Sequence, residues 1–354
     1  MTYNFEKDVD MDVLRDTLEV DDGYELYDED AESARSLSSS IFDVENYHGR
    51  RYNTYRSGNH PFPRGDDLSV RNELVFHNLM LKLLDDKYHL APVTDPRHVA
   101  DVGCGLGLWS AGMAEAHPDT EVLGLDTTPQ SSVLENCTFV PMDVTQEWIL
   151  DRPDTKLDLV HIRGLFASIA DWPNLYQHCF QYVFLLCAAA MLVSLSQSCA
   201  PIMIYLFDWA NMLIMFPWFR NMASGGYIEQ VEVEIKPLCD DDSCRPDSVI
   251  KQLADLTVQM SQHLGQDYNV TGGMRRLIEE AGFVECEEHR LKMPLGPWPK
   301  DEKARMIGAL FESFYRTGLQ GWMMKPLTRD MGVSFPGNPK SPNLLRLPVH
   351  SPTS

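Results

Sequence analysis

Two carboxylates and three glycines, spaced within a single stretch, are the residues of this chain best suited to bind a ligand. They are Asp101, Gly103, Gly105, Gly107 and Asp126. Glycine lets the backbone turn tightly and approach a ligand without a Cβ in the way. A carboxylate can accept two hydrogen bonds from the hydroxyls of a ribose. The stretch therefore predicts a nucleoside-binding crevice.

The elements around these residues are typical of a parallel sheet. Short apolar runs at 99–102 and 121–125 predict two buried strands, and the spacing of apolar residues predicts a helix over 108–117 between them. In such sheets the ligand lies outside the carboxyl ends of the strands, where the glycines and Asp126 stand. Further strands are predicted at 137–142 and 157–162.

The glycine spacing separates two classes of cofactor. A dinucleotide site has G-x-G-x-x-G, but the third glycine of that pattern falls on Leu108. The spacing G-x-G-x-G after Asp101 instead resembles motif I of the class I S-adenosylmethionine (SAM) methyltransferases. The alternative is a tight turn that binds nothing. The resemblance implies SAM, with Asp143 at the adenine amino group and Met142 and Val144 beside the ring. The core cofactor residues that it implies are Asp101, Gly103, Cys104, Gly105, Gly107, Asp126, Thr127, Met142, Asp143 and Val144.

The N-terminal part of the chain carries a second resemblance. His48 to Tyr55 reads HGRRYNTY, which is similar to the N-G-R-R-Y-H-x-Y segment of the LaeA-like methyltransferases of filamentous fungi. Residues 46–98 are therefore expected to form a lid and a helix over 68–84, with Asp66 as its N-cap. The resemblance makes Arg51, Tyr52 and Tyr55 candidates to cover the cofactor. A packed surface turn is the alternative for each.

The resemblance covers residues 46–181 and 224–330. It includes a D-W-P helix start at 171–173, a Gly-Gly strand start at 225–232 and a G-x-W-P-K-D turn at 296–301. It implies an α/β fold, the Rossmann-like doubly wound sheet of a class I methyltransferase. The implied activity is SAM-dependent methyl transfer to a small-molecule or protein acceptor, tied to fungal secondary metabolism, or LaeA-like regulation with a velvet-type protein partner. No catalytic residue is assigned; His161 and Tyr52 are weak candidates for a base.

An apolar insertion interrupts the predicted SAM-binding core, 99–235, at residues 182–222. Three interpretations are open: a membrane-spanning helix over 183–207, a substrate-cap insertion, or translated intron sequence. The intron interpretation is favoured because the resemblance to the family stops near residue 181 and resumes at residue 224. Sequencing the spliced transcript would test it. A catalytically weak or defective SAM-binding regulatory protein, and a methyltransferase anchored in a membrane through 183–207, are therefore alternatives to an active enzyme.

The C-terminal third departs from the class I pattern. Residues 236–330 predict substrate-cap helices and a sixth strand at 283–293, but no seventh strand follows. Residues 331–354 form a proline-rich tail. An open sheet edge would result, because a seventh strand normally inserts between the fifth and sixth.

Charge and cysteine content limit the remaining classes of function. The net charge of the 354 residues is −22, and the arm 1–45, expected to be disordered, holds 15 acidic residues against 3 basic ones. This balance argues against a nucleic-acid surface. The 8 cysteines show no C-x-x-C pair, so no metal site is predicted. Reduced thiols and an acidic N-terminus without a secretory pattern predict an intracellular location, in the cytoplasm or nucleus.

Overall fold

The computed structural model describes most of the chain from residue 44 to residue 332. The described ranges are 44–54, 61–128, 130–148, 150, 156–183, 226–240, 244–245 and 247–332. All of them lie within the unit Leu37–Ser354. The predictions for the arm up to residue 43, for Tyr55, for most of the insertion and for the tail beyond 332 therefore lie outside the described residues.

A parallel sheet of five strands forms the core, in the order β5-β4-β3-β6-β7. The strands are β3 (His98–Val102), β4 (Glu121–Asp126), β5 (Cys137–Pro141), β6 (Leu159–Arg163) and β7 (Tyr227–Val231). Asp101 on β3 lies opposite Gly124 on β4 and His161 on β6. The chain order reverses between β3 and β6, which opens a crevice at the carboxyl ends of these central strands. The predicted doubly wound sheet is confirmed by this strand order.

A short antiparallel hairpin precedes the sheet. It consists of β1 (Val44–Tyr47) and β2 (Arg50–Asn53), with Tyr47 opposite Arg50. A lid was expected here, but no strands. The hairpin turn contains His48 and Gly49, both with positive φ, which suits a tight two-residue connection.

Helices cover both faces of the sheet. They are α1 (Asp67–Leu83), α2 (Leu108–Ala116), α3 (172–183), α4 (Val249–His263), α5 (Met274–Ala281) and α6 (Glu302–Lys325). Asp66 caps α1 as predicted, because its Oδ1 accepts a hydrogen bond from the Ser69 amide at 2.8 Å. α1 packs along α6, where the rings of Phe76 and Phe314 stack 4.8 Å apart. This pair of helices brings the residues before the sheet next to its carboxyl edge.

The predicted sixth strand at 283–293 is wrong. The segment is irregular, and among the described residues no strand follows Val231. Its alternating apolar and charged residues suit a strand, but a strand also needs a neighbouring backbone to bond with. Val284 is 61% exposed, and Glu285 has a φ of 56°, which interrupts an extended chain.

Only the first two residues of the insertion, Tyr182 and Val183, are described. α3 is described as far as Val183, which is buried in the core beside the sheet, and the next described residue, Gly226, leads into β7. None of the helices in the described ranges is long and apolar enough to cross a bilayer. Residues 184–225, which carry most of the segment proposed as membrane-spanning, are outside those ranges.

Candidate functional site

The glycine turn after β3 forms one wall of a cleft. Gly103 has a φ of 73° and Gly105 a φ of 59°, a backbone conformation that residues with side chains rarely adopt. A Cβ on Gly103 would lie 2.4 Å from Leu165, and one on Gly105 would lie 2.7 Å from a carboxylate oxygen of Glu73. The turn is therefore tightly packed, and only glycine fits at these two positions.

Asp126 ends β4 and holds the turn in place. Its Oδ2 accepts a hydrogen bond from the Gly105 amide at 2.9 Å, and its Oδ1 accepts one from the Thr128 amide at 2.8 Å. The Thr127 hydroxyl lies 3.5 Å from the same Oδ1. The side chain is 4% exposed and pairs with Arg64. Burial opposes ionisation, but the guanidinium and the amide donors outweigh it and keep the pKa of Asp126 below its ordinary value.

Asp101 lies beneath the turn in a closed polar cluster. Its Oδ2 accepts a hydrogen bond from the Ser110 hydroxyl at 2.6 Å, and its Oδ1 lies 2.9 Å from His161 Nδ1. His161 is 1% exposed and its ring stacks on Trp109 with centroids 3.7 Å apart. The cleft reaches Asp101 but is not lined by His161. The structure therefore places His161 as a support for Asp101 and away from a reacting group.

The residues predicted for an adenine ring follow β5, next to Asp126. The Met142 amide donates to the Asp126 carbonyl at 2.7 Å, so the ends of β4 and β5 are joined. Met142 and Val144 are both buried, and Asp143 Oδ1 accepts a hydrogen bond from the Thr145 hydroxyl at 2.6 Å. The structure thus brings these three residues together with Asp126 at one edge of the sheet.

Cys104 also lies in the glycine turn and lines the cleft. Its amide donates to the Leu125 carbonyl at 3.1 Å, which ties the turn to the end of β4. Burial and the neighbouring carboxylates raise the pKa of the Cys104 thiol, so the side chain stays protonated at neutral pH.

Two charged residues of the cleft were missed from the sequence, Arg64 and Glu73. Arg64 Nη1 donates to Asp126 Oδ1 at 2.5 Å and to the Thr128 hydroxyl at 2.9 Å. Glu73 on α1 reaches over the turn, where its Oε2 accepts from the Leu106 amide at 3.2 Å. Burial raises the pKa of Glu73 against the influence of Arg64. The position of Arg64 two residues before a helix N-cap was the signal available in the sequence.

Two residues predicted for the lid do not reach the cleft. Tyr52 is fully buried, and its hydroxyl donates to the Gly321 carbonyl of α6 at 3.0 Å. Burial raises the pKa of Tyr52 to about 12. Arg51 is exposed, and its amide donates to Asp66 at 3.0 Å. The hairpin is therefore braced against α6, and Tyr55 lies outside the described residues.

The cleft continues from the glycine turn into an apolar chamber. The cleft and this chamber together have a cavity volume of about 1430 Å³. The chamber is lined by the aromatic side chains Phe62, Phe76, Phe166, Phe314 and Trp322. The ring centroids of Phe62 and Phe166 are 6.0 Å apart, and those of Phe62 and Trp322 are 5.9 Å apart. A polar end at the glycine turn thus adjoins an apolar end suited to an aromatic or aliphatic molecule.

Glu232 lies beside the chamber, just past the end of β7. Its Oε1 accepts hydrogen bonds from the Leu165 amide at 3.0 Å and from Gln230 Nε2 at 3.1 Å. Burial raises the pKa of Glu232 to about 7, and the hydrogen bonds only partly oppose this. No pattern in the sequence pointed to this residue.

The chain has relatives among fungal proteins, although no family model matches it. It is 29% identical to methyltransferase pytC of Aspergillus terreus over 320 residues, which cover 89% of this chain and 85% of that one. It is 27% identical to secondary metabolism regulator LAE1 of Cochliobolus heterostrophus, over 79% of this chain and 80% of that one. It is 26% identical to secondary metabolism regulator laeA of Aspergillus flavus, over 84% and 69% of the two chains.

Solved structures superpose only in part. Human N-acetylserotonin methyltransferase in complex with SAM is 16% identical, with 63% of this chain and 51% of that one covered and a TM-score of 0.33. The plantazolicin methyltransferase BpumL in complex with S-adenosylhomocysteine (SAH) is 17% identical, with 32% and 47% covered and a TM-score of 0.25. Scores this low carry no weight for the fold, which stands on the strand order of this chain.

The sequence matches run across both the N-terminal segment and the sheet. The strand order and the acidic ends of β4 and β5 agree with the resemblance seen in the sequence. The chain is therefore similar, over 79–89% of its length, to a fungal methyltransferase and to fungal secondary metabolism regulators of the LaeA type.

Proposed function

We propose that the cleft binds SAM over the glycine turn and that the chain transfers the methyl group of SAM to an acceptor held in the apolar chamber. The observation that carries this proposal is the Asp126 carboxylate. This carboxylate is buried at the end of β4 and accepts a hydrogen bond from the Gly105 amide, so its position beside the turn is fixed. A fixed carboxylate at this edge suits the two hydroxyls of a ribose.

The neighbouring residues suit the rest of a nucleoside. Met142 and Val144 supply apolar surfaces for a flat ring, and Asp143 supplies a carboxylate for an exocyclic amino group. The turn has no side chains at Gly103 and Gly105, which leaves its backbone open to a ligand. A Cβ at either position would lie within 3 Å of neighbouring atoms. These features support a nucleoside without phosphates, since the glycine spacing does not aim a helix N-terminus at a pyrophosphate.

When bound, SAM supplies a methyl group on a positively charged sulfonium, open to in-line attack by a nucleophile. The residues of this chain then have to orient two reactants and exclude water. Phe62, Phe166 and Trp322 can do both for an apolar acceptor, because their rings pack against one another at the cleft wall. His161 is enclosed against Asp101 and the Tyr52 hydroxyl is held by the Gly321 carbonyl, so no base is assigned.

A regulatory role is the second candidate function. It is favoured by the names of relatives in Cochliobolus and Aspergillus, which are secondary metabolism regulators. In this role the chain would bind SAM and act with a protein partner, of which a velvet-type regulator is the candidate. Restoration of metabolite production in a deletion strain by the wild type but not by the Asp126→Ala variant would support this role, and restoration by both would contradict a regulatory role that depends on SAM.

Titration calorimetry with SAH tests the proposed cofactor site. We expect binding in the micromolar range. Asp126→Ala removes two hydrogen bonds to a charged group, each worth about 1.5–3 kcal/mol, so the affinity should fall about 100-fold or more. Tyr52→Phe is the matched control and should bind like the wild type. A folded wild-type protein that does not bind SAH, or an Asp126→Ala variant that binds equally well, would refute the proposal.

A further inference from the structure

We propose that Arg64 is a cofactor clamp that pairs with Asp126 and transfers to the α-carboxylate of the cofactor when a ribose takes Asp126. The inference rests on the proposed function, because it concerns the same cleft and the same ligand. It assigns to Arg64 the selection of ligands that carry an amino-acid end.

Arg64 and a ribose hydroxyl would compete for the carboxylate of Asp126. Arg64 Nη1 donates to Asp126 Oδ1, while Asp126 Oδ2 is held by the Gly105 amide. A ribose hydroxyl that bonds to Oδ1 therefore meets the guanidinium at that oxygen. The Arg64 side chain is 17% exposed, against 4% for Asp126. The arginine is thus the partner that can move.

An Arg64 guanidinium displaced from Asp126 needs another partner in the cleft. The four other arginines that line the cleft already have partners, and those of Arg275 and Arg290 are Glu279 and Glu288. Arg163 Nη2 donates to His77 Nδ1 at 3.1 Å, and Arg50 Nε donates to Asp66 Oδ2 at 3.0 Å. A guanidinium that leaves a carboxylate in a half-buried cleft needs another anion, because an unpaired charge is costly there. The α-carboxylate of the cofactor is such an anion, and it matches the two-pronged geometry of arginine.

Arg64 and Glu73 are two oppositely charged residues beside the glycine turn. Glu73 lies over Gly105 and accepts a hydrogen bond from the Leu106 amide. Arg64 and Glu73 thus present one positive and one negative group at the same stretch of the cleft wall. The amino-acid end of SAM is a zwitterion, with a carboxylate for Arg64 and an ammonium for Glu73. The pair therefore complements that end of the ligand.

The exposed Arg51 differs from Arg64 in a way that supplies a control. The Arg51 amide donates to Asp66, and the Arg64 amide donates to the Arg51 carbonyl at 2.7 Å, so the two residues lie in one local structure. Arg64 lines the cleft and Arg51 does not. A substitution at Arg51 removes the same charge from the same segment without removing the clamp.

The test compares two ligands that differ only at the amino-acid end. SAH carries the α-carboxylate and the ammonium, and 5′-methylthioadenosine lacks both. Dissociation constants for both ligands are measured by calorimetry on the wild type, Arg64→Gln and Arg51→Gln. The wild type should prefer SAH. In Arg64→Gln the preference for SAH over 5′-methylthioadenosine should fall about 10- to 100-fold, the range expected for one lost charge-assisted contact. In Arg51→Gln it should stay unchanged.

Arg64→Lys protects the test against a folding defect. It keeps a positive charge beside Asp126 but loses the guanidinium fork, so its preference for SAH should fall by a smaller factor, about 3-fold or more. Thermal melting checks that each variant is folded.

Every other outcome overturns the clamp. If Arg64→Gln weakens or tightens both ligands by the same factor, Arg64 acts on Asp126 alone. If the wild type binds neither ligand, the proposed function fails together with the clamp. Binding of SAH by the wild type, lost in Asp126→Ala but with an unchanged ligand preference in Arg64→Gln, refutes the clamp and leaves the cofactor site intact.

Discussion

Replacing Glu232 with glutamine should stabilise the protein at alkaline pH and change it little in acid. Glu232 Oε1 accepts two hydrogen bonds, but Oε2 is buried and has no hydrogen-bond partner among the described residues. Burial raises the pKa of Glu232 to about 7 from the ordinary value of 4.5. Glutamine has nearly the same shape, can accept the same two hydrogen bonds and carries no charge.

The sign of the effect follows from the raised pKa. Below pH 4.5 the carboxyl group is protonated in both the folded and the unfolded protein, so it contributes no penalty. Between pH 4.5 and 7 the unfolded chain ionises while the folded protein resists, and the free energy of unfolding falls. Above pH 7 the penalty is constant. Since one pKa unit corresponds to about 1.4 kcal/mol, the full penalty is about 3 kcal/mol.

Urea unfolding at pH 5 and at pH 8 measures this penalty. The difference in unfolding free energy between Glu232→Gln and the wild type should grow by about 2–3 kcal/mol from pH 5 to pH 8. Glu280→Gln is the control, because Glu280 lies on the surface of α5 with a side chain that is 57% exposed. A difference for Glu232→Gln that is the same at both pH values would refute the reasoning.

Three further substitutions test the account of the cleft and its supports. Burial lowers the pKa of His77 to about 3, so the wild type should lose stability as the pH falls below 6.5. His77→Gln should avoid about 3 kcal/mol of that loss at pH 4, measured by urea unfolding, and equal acid sensitivity of the two proteins would contradict this. Gly103→Ala should lose about 2 kcal/mol or more of stability from its positive φ and its clash with Leu165, and Leu165→Ala in the same chain should recover part of it; no recovery in melting experiments would argue against the clash. Tyr52→Phe should lose about 1 kcal/mol by removing the hydrogen bond to Gly321. Its SAH affinity in calorimetry should not change, and a large loss of affinity would return Tyr52 to the site.

The parallel strands were predictable because each is a short, continuous apolar run in a buried layer. The strands predicted at 99–102 and 121–125 differ from β3 and β4 by one residue at a single end, and the helix predicted at 108–117 differs from α2 by one residue. The same burial explains why the end of the second strand was found: Asp126 is the first charged residue after an apolar run. In these elements the hydrophobic pattern agrees with the observed burial, so the sequence alone is sufficient to predict them.

The hairpin and the sixth strand show where the sequence is insufficient. β1 and β2 pair two four-residue segments whose residues alternate without a clear apolar face. The segment at 283–293 has the opposite problem, since it has the pattern of a strand but no neighbour within the described residues. Strand formation depends on a partner elsewhere in the chain, and a local pattern carries no information about that partner.

The two charged cleft residues, Arg64 and Glu73, were missed for a related reason. Arg51 and Arg64 lie in the same N-terminal segment, and residue type alone does not say which one faces the glycine turn. The structure distinguishes them, because Arg64 pairs with Asp126 whereas Arg51 is exposed to solvent. Glu73 could not be separated from the other polar residues of α1 without knowing which face of that helix covers the turn.

A crystal structure of the chain with SAH tests the central claim most directly. The account predicts the ribose hydroxyls on Asp126, the adenine ring between Met142 and Val144, and the Arg64 guanidinium against the α-carboxylate of the ligand. A ligand bound away from the glycine turn, with Arg64 still paired to Asp126, would contradict it.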